Sequence, residues 1–331
     1  MRDLVLSLPS QLSDGYERGS RLAPVASDEV DDLVVVGMGG SGIAGDLLGG
    51  LAASESRCFV HVVRGPELPR AVGPMAAVVL ISYSGTTWET LAAYDQAGAK
   101  GAPRAVMASG GELLQRAQKD GVPFLEIPPG LPPRSAVGYL FGGLLALADP
   151  LFPESNAARL SHAVERLARA RPRLVSATGV PSNLARRAGR REPLVYAEAS
   201  FGGLARRWKT QVEENAKRLA HFDVLPELFH NALVPWDAIS RAEAARRFVV
   251  LLEWSGQDAQ LAGRFSYLAR LFAVRGVPCA KVPLASSDRL EALLLGLWTG
   301  DLFSLALAKA AGVDPFGVAA IETMKRRLKG R

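Results

Sequence analysis

Short apolar stretches alternate with longer helix-like ones along the first half of the chain. Helix-like segments occupy residues 43–54, 86–100 and 111–121. The stretches between them are rich in Val and Ile and almost continuously apolar, as in parallel strands buried on both faces. They are LVVVG (33–37), CFVHVV (58–63), AVVLIS (77–82), RAVMAS (104–109) and PFLEIP (123–128). This order predicts an open parallel sheet with helices on both sides.

The same rhythm restarts in the second half, after a break within residues 150–175. Strands are predicted at PLVYAEA (193–199), RFVVLLEW (247–254) and PCAKVPL (278–284), and helices at 202–220, 258–276 and 288–312, the last ending at Gly312. We therefore predict an α/β fold with two domains, residues 1–152 and 153–331. Each contains a doubly wound, mostly parallel sheet between two layers of helices.

The net charge of +6 is unevenly distributed along the 331 residues. Residues 1–150 carry 11 basic and 16 acidic side chains, a net −5, and the remainder carries +11. The arginines of 185–193 and 241–248 lie among helix-forming residues without interleaved aromatics, so we predict solvated helix faces and no nucleic-acid partner. There is no run of 18 uncharged apolar residues, and the N-terminus is a poor signal peptide. These features predict a cytoplasmic protein without a membrane partner.

A glycine-rich turn follows the first predicted strand, in VVVGMGGSGIAGDLL (34–48). Residues 37–42 satisfy the G-x-G-x-x-G pattern, and a strand-to-helix turn of this kind favours an anion. One interpretation is an NADP-dependent dehydrogenase, with Arg64 at the end of the second strand binding a 2′-phosphate. A triphosphate-binding P-loop is excluded because no G-K-[ST] follows.

A second turn, in AVVLISYSGTTWETL (77–91), carries four hydroxyls within six residues: Ser82, Ser84, Thr86 and Thr87. Ordinary helix capping needs only one hydroxyl. Several hydroxyls at a helix N-terminus can surround a small dianion without a metal ion. The turn therefore predicts a phosphate site, with neither metal nor cofactor, and the dehydrogenase interpretation leaves it unexplained.

Together, GMGGSGIAGDLL and SYSGTTWET resemble the sugar isomerase (SIS) fold, which binds phosphosugars. The chain is similar, nearly end to end, to the bifunctional phosphoglucose/phosphomannose isomerases of archaea and some bacteria. The resemblance implies reversible isomerisation of glucose 6-phosphate and fructose 6-phosphate, and also of mannose 6-phosphate and fructose 6-phosphate, through a metal-independent cis-enediol. It extends over PPRSAVGYL (132–140), WKTQVEENAK (208–217), PELFHN (226–231) and AKAAGVDP (308–315).

The resemblance also implies roles for individual residues. Glu214 is the base that moves a proton between C2 and C1, and Arg134 stabilises the enediolate. His230 and Lys309 open the sugar ring, and His230 reaches the site from the partner subunit, which implies a homodimer with shared active sites. Contacts to phosphate or sugar are implied for Gly39, Gly40, Ser41, Ser82, Ser84, Thr87 and Pro133.

Two positions depart from the family pattern. Glu213 stands where the family usually has Asn, with Lys209 and Lys217 four residues to either side, a spacing typical of a surface ion pair. Leu302 stands where a small polar residue has been linked to use of mannose 6-phosphate, with Thr299 and Ser304 nearby. The mannose 6-phosphate activity is therefore less firmly predicted than the glucose 6-phosphate activity.

Two non-catalytic interpretations stay open at this point: a phosphosugar-binding regulator and an inactive member of the family. Regulators with SIS domains usually carry a separate helix-turn-helix domain, and only about 30 residues precede the first predicted strand. The combination of Glu214, His230 and Lys309 also favours an enzyme.

Overall fold

The first half of the chain forms a five-stranded sheet in the order β2-β1-β3-β4-β5, with every neighbouring pair parallel. The computed structural model describes residues 1–25 and 30–329. β2 lies on one side of β1 and β3 on the other, so the order in which successive strands join the sheet reverses at this point. Such a reversal leaves a crevice at the carboxyl ends of β1 and β3. The strands are β1 (Asp32–Gly37), β2 (Phe59–Val63), β3 (Ala76–Ile81), β4 (Arg104–Ala108) and β5 (Phe124–Glu126).

The second half forms a four-stranded parallel sheet in the order β7-β6-β8-β9. Its strands are β6 (Glu192–Glu198), β7 (His221–Leu225), β8 (Arg247–Trp254) and β9 (Cys279–Leu284). β7 was not predicted. It is an edge strand with only one buried residue, so it lacks the apolar run that marks the others. The α/β class and the two parallel sheets are confirmed.

Fourteen helices surround the sheets in the described residues. α3 begins at Gly39, four residues earlier than predicted, so part of the glycine-rich turn is itself helical. α9 ends at Ala216 rather than at 220. The helices are α1 (Arg2–Leu6), α2 (Leu8–Ser20), α3 (Gly39–Ala52), α4 (Trp88–Ala99), α5 (Gly111–Asp120), α6 (Val137–Ala148), α7 (Ala157–Leu174), α8 (Val180–Ala188), α9 (Gly202–Ala216), α10 (Pro235–Ala238), α11 (Arg241–Ala244), α12 (Ala259–Val274), α13 (Arg289–Ala311) and α14 (Ala319–Lys329).

The longest helix, α13, is the central packing element of the second half. It ends at Gly312, as predicted, with a left-handed φ of 67°. It packs against α7, α8 and α9, and its Trp298 Nε1 donates to the Val5 carbonyl of α1 at 2.8 Å. Among the described residues, α13 alone is long and apolar enough to cross a membrane, but 83% of its most apolar 18-residue window is buried in the protein. α13 is therefore packed as a core helix.

The region of the predicted break holds a helix instead of an extended linker. α7 packs between α2 of the first half and α13 of the second. The boundary between residues 152 and 153 stays a prediction.

Candidate active site

Two turns meet at the crevice between β1 and β3. We call residues 37–42 the glycine loop and residues 82–87 the hydroxyl loop. The Ser41 hydroxyl accepts from the Tyr83 backbone N–H at 3.3 Å, which joins the loops. Ser82 Oγ donates to Thr87 Oγ1 at 2.9 Å and accepts from Gly85 N at 3.1 Å. The hydroxyl loop is therefore a closed turn.

The outer part of the hydroxyl loop faces solvent. Ser84 and Thr86 are exposed, and Thr86 Oγ1 donates to Ser84 Oγ at 3.2 Å. Thr87 is the N-cap of α4 but makes no side-chain capping hydrogen bond. Thr90 N donates to the Thr87 carbonyl at 3.0 Å, and no side chain caps the start of α4, which suits this helix start to an anion.

Gly85 sets the conformation of this turn. Its φ is +65°, and a Cβ there would lie 1.8 Å from the Gly110 carbonyl oxygen. No other residue fits without displacing backbone. The glycine of the S-Y-S-G motif is therefore required for steric reasons.

Tyr83 connects these loops to a third segment, the Pro-rich stretch before α6. Its hydroxyl donates to the Pro128 carbonyl at 2.9 Å and accepts from Leu131 N at 2.7 Å. A Cβ on Gly40 would lie 3.2 Å from Arg134 N, so the glycine loop lies directly against the backbone that carries Arg134. Three segments distant in sequence thus meet at one place.

Arg134 is almost completely buried, with 4% of its surface exposed. Its Nε donates to Asn215 Oδ1 at 2.9 Å and its Nη1 to Glu214 Oε2 at 3.3 Å. Its Nη2 donates to the carbonyls of Pro315 and Phe316, at 2.6 and 3.2 Å. Burial lowers the pKa of Arg134, and the Glu214 carboxylate opposes this shift. The guanidinium remains a cation at neutral pH because its unperturbed pKa is so high.

Glu214 lies in the last turn of α9 and is 28% exposed, beside the buried Arg134. Its neighbour Glu213 forms the predicted surface ion pair with Lys209, at 2.7 Å. The proposed second partner, Lys217, does not join that pair. It ends α9 with a left-handed φ of 54°, and its Nζ donates to the Glu214 carbonyl. Only one of the two glutamates contacts Arg134.

His230 and Lys309 are not part of this contact network. His230 ends a short 3₁₀ helix, Glu227–His230, and Lys309 lies in the last turn of α13; both are exposed. Neither side chain has a hydrogen bond or ion pair within the described part of this chain.

The region around Leu302 offers no free hydroxyl. Leu302 is 7% exposed. Thr299 Oγ1 donates to the Leu295 carbonyl at 2.7 Å, and Ser304 Oγ donates to the Asp301 carbonyl at 2.7 Å. Neither nearby hydroxyl therefore replaces a polar group at position 302.

The contacts of Arg64 weaken the dinucleotide interpretation. Arg64 already has protein partners: it pairs with Asp46, a carboxylate shared with Arg206 at 3.4 Å, and it donates to the Gly42 carbonyl at 3.4 Å. Across residues 1–25 and 30–329, no group of three or more His, Cys, Asp or Glu side chains is placed to hold a metal ion.

Several residues of this region were missed by sequence reasoning. Tyr83 sits between two predicted ligands and organises all three segments. Arg207, Gln211 and Asn215 form a buried polar row at four-residue spacing on α9. The spacing puts them on one face of α9, but this helix also carries Arg206, Lys209 and Glu213, so the spacing alone does not mark that face as buried. Asp301 on α13, the partner of Arg207 and Gln211, was missed as well.

Comparison with known proteins places this geometry in a family. The profile of the bacterial phospho-glucose isomerase C-terminal SIS domain matches residues 179–328. A bifunctional phosphoglucose/phosphomannose isomerase of Caldicellulosiruptor bescii is 33% identical, covering 99% of this chain and 98% of the relative. The chain belongs to the bifunctional phosphoglucose/phosphomannose isomerase family. The family member from Thermoplasma acidophilum is 32% identical over 90% of this chain and 89% of its own length.

Solved structures agree with this family membership at the level of the fold. The C-terminal domain of glucosamine-fructose-6-phosphate aminotransferase from Francisella tularensis superimposes with a TM-score of 0.68 at 14% identity. The match covers 94% of this chain and 96% of that domain. The predicted SIS-type fold and the isomerase class are therefore confirmed for this member of the bifunctional isomerase family.

Proposed function

We propose that this protein catalyses the reversible isomerisation of glucose 6-phosphate and fructose 6-phosphate, and of mannose 6-phosphate and fructose 6-phosphate, without a metal ion. The observation that carries the proposal is the 3.3 Å contact between Glu214 Oε2 and Arg134 Nη1. It pairs a partly exposed carboxylate with a fixed cation, beside two loops suited to an anion. A cis-enediol isomerase needs these three features.

The substrate phosphate binds the hydroxyl loop at the N-terminus of α4. Ser82, Ser84 and Thr87 supply hydroxyls, and Ser41 adds one from the glycine loop. The exposure of Ser84 and the uncapped first turn of α4 support this assignment. Gly39 and Gly40 let backbone approach the sugar because they lack side chains, and Pro133 lines the same space.

Glu214 moves the proton. In the open-chain aldose its carboxylate removes the proton from C2, and the electron pair forms the C1–C2 double bond of the cis-enediol. As this double bond forms, the electron pair of the C1 carbonyl bond moves to O1. Glu214 then returns the proton to C1, and the O2 hydroxyl proton is transferred to O1, which leaves the ketose carbonyl at C2 and a hydroxyl at C1. Arg134 stabilises the negative charge that develops on the enediolate oxygen. The reverse direction uses the same groups.

The proton transfers that open the ring are assigned to His230 and Lys309. His230 of this chain serves the site of the partner subunit, so the active form is a homodimer with shared sites. The exposure of His230, and the lack of a partner for it within the described chain, support this assignment. We further propose a cytoplasmic location and a domain boundary between residues 152 and 153.

A coupled assay on protein treated with a chelator tests the reaction. Glucose 6-phosphate should form from fructose 6-phosphate, and fructose 6-phosphate from mannose 6-phosphate. In deuterated water, recovered glucose 6-phosphate should carry deuterium at C2, because an enediol exchanges its proton with solvent and a hydride shift does not. Absence of turnover with both sugars would leave a phosphosugar-binding protein as the better interpretation.

Mixing two inactive variants tests the shared site. Glu214→Gln and His230→Ala protein, dissociated and reassociated together, should regain about a quarter of wild-type activity, since half of the dimers are mixed and each has one intact site. No recovery in verified mixed dimers would show that both residues act within one subunit.

The specificity of the site is tested at Leu302. Leu302→Thr should raise the ratio of mannose 6-phosphate to glucose 6-phosphate turnover by several-fold, in line with the modest free energies that separate similar substrates. An unchanged ratio would mean that the selectivity lies elsewhere.

A further inference from the structure

A buried polar network from α9 and α13 fixes Arg134 at both ends. Asp301 and Arg207 form an ion pair whose side chains are 4% and 2% exposed. Arg207 Nε and Nη2 donate to the two Asp301 carboxylate oxygens, at 3.0 and 2.8 Å. Gln211 Nε2 adds a third donor to Asp301 at 3.0 Å. A buried pair with this many hydrogen bonds has one preferred geometry.

One arm of the network holds the backbone of Arg134. Arg207 Nη2 also donates to the Arg134 carbonyl, at 2.7 Å. Since the same guanidinium is clamped on Asp301, the Arg134 main chain is tied to α13 across a sequence separation of more than 160 residues. The short 3₁₀ helix Pro133–Ala136 cannot shift without breaking this buried contact.

The other arm holds the guanidinium. Ser304 Oγ donates to the Asp301 carbonyl at 2.7 Å, so it accepts the bond from Asn215 Nδ2 at 2.9 Å. The Asn215 amide is therefore oriented with Oδ1 towards Arg134 Nε, at 2.9 Å. Asn215 and Ser304 are both fully buried. The direction of each hydrogen bond is set by the one before it.

We propose that Asn215 and the Arg207–Asp301 pair are positioning residues, which hold the Arg134 guanidinium at the place where enediolate charge develops beside Glu214. This inference rests on the proposed function. Without Asn215, only the two Nη atoms would be held, by Glu214 and by the Pro315 and Phe316 carbonyls, so the guanidinium could turn away from the place where charge develops, at a cost in rate. Because α9 carries Asn215 next to Glu214, the same helix sets the place of the base and of the cation.

The test is a double-mutant cycle between Asn215→Leu and Arg134→Lys. In the wild-type background, Asn215→Leu should lower kcat by about 10- to 100-fold with KM within about twofold, as expected for loss of preorganisation. In the Arg134→Lys background the same change should cost no more than about threefold, because the Nε that Asn215 holds is already gone. Equal losses in the two backgrounds would overturn the proposal.

A binding measurement makes the result independent of turnover. A five-carbon aldonate 5-phosphate presents a planar carboxylate in place of the enediolate. Asn215→Leu should weaken its binding by about tenfold or more, while binding of glucose 6-phosphate changes by less than about twofold. If wild-type protein shows no turnover, the proposed function fails, and this binding difference still decides the positioning role. Equal weakening of both ligands, or no binding of the aldonate, contradicts it.

Stability controls separate positioning from folding. Ser304→Ala removes one hydrogen bond of the chain and should lower kcat by several-fold, so it replaces Asn215→Leu if that protein does not fold. Leu293→Ala, a buried position on α13 outside the network, should lower the melting temperature more than Ser304→Ala does. Its kcat, measured well below the melting temperature, should stay within about twofold of wild type. A matching loss of kcat in Leu293→Ala would mean that the losses in the network variants come from lowered stability and not from lost positioning.

Discussion

The carboxyl ends of the two sheets have the same strand–turn–helix geometry but different side chains. In the first sheet, β3 leads through the hydroxyl loop to α4, and Thr87 leaves the first turn of that helix without a side-chain cap. In the second sheet, β8 leads to α12, where the Asp258 carboxylate accepts from Leu261 N at 2.8 Å. The start of α4 is open to an anion, whereas at the start of α12 the Asp258 carboxylate already occupies the corresponding position.

The second crevice is also filled by aromatic side chains. Trp254, the last residue of β8, packs against Phe201 with ring centroids 5.7 Å apart. The Arg289 guanidinium lies over the Trp254 ring, 4.5 Å from its centroid, and the indole Nε1 donates to the Ser286 carbonyl. The comparison teaches that parallel-sheet topology supplies a crevice, whereas the residues at the strand ends decide whether it stays open to an anion or becomes core. In the proposed mechanism, the second half instead contributes the base, Glu214 of α9.

The largest expected effect concerns the base. Glu214→Gln should lower kcat by about 10²- to 10⁴-fold, because it removes the proton acceptor and keeps the shape of the side chain. Glu213→Gln is the matched control, since Glu213 pairs with Lys209 at the surface, and it should stay within about twofold of wild type. Steady-state kinetics of both proteins decide this. Comparable losses in the two variants would mean that α9 does not present Glu214 alone.

The filled crevice of the second sheet should matter for stability and not for substrate. Trp254→Ala should lower the free energy of unfolding by about 3 kcal/mol or more, because it empties a packed aromatic site. The KM for fructose 6-phosphate should be unchanged in the folded protein. Urea denaturation followed by circular dichroism gives the first quantity and the coupled assay the second. A large increase in KM would show that this crevice binds substrate.

The hydroxyl loop can be tested against its counterpart. Ser84→Ala should raise KM by about tenfold, since a hydrogen bond to a charged group contributes roughly 1.5–3 kcal/mol. Ser255→Ala, at the end of β8, should leave KM unchanged, because its Oγ donates to the Ser286 carbonyl at 2.9 Å within its own crevice. If both variants raise KM alike, the two sheet ends do not differ in the way described.

The smallest effect concerns the buried face of the second sheet. Burial raises the pKa of Tyr196, on β6, to about 12. The folded state therefore holds this proton more tightly than the unfolded chain does, so its stabilising effect is complete below pH 10 and is lost between pH 10 and 12. The loss between pH 10 and 11 should be about 1 kcal/mol, and Tyr196→Phe should remove it. Alkaline unfolding curves with the same slope in both proteins would contradict this.

Local patterns explain most of what could be predicted from the sequence about the fold. The apolar strands and the stop at Gly312 rest on signals carried by neighbouring residues. β7 was missed because an edge strand needs no continuous apolar run. The early start of α3 was missed because glycine has poor helix propensity, and only the packing of this turn against the Arg134 segment shows why the helix begins there.

The candidate site likewise contains some residues that local patterns reveal and others that they do not. The glycine and hydroxyl loops could be recognised from the sequence, since in each the characteristic residues lie close together and directly follow a predicted strand. Glu214, Arg134, His230 and Lys309 needed the family resemblance, because each has an ordinary structural interpretation. The contact of Arg134 with Glu214 and Asn215 spans about 80 residues, and that of Arg207 with Asp301 spans 94. Such pairings depend on how α9 and α13 pack, which no local pattern encodes.

The sequence by itself therefore determined the α/β class, the two parallel sheets, and the glycine and hydroxyl loops suited to an anion, because strand burial and turn chemistry are local properties. Only the tertiary structure decided which charged groups act together. Arg134 could have been a solvated loop residue, and it became a buried, oriented cation because α9 and the segment after α13, both in the other half of the chain, supply its partners. Hydrogen bonds between distant segments form only after the apolar faces have packed, so their geometry belongs to the fold as a whole.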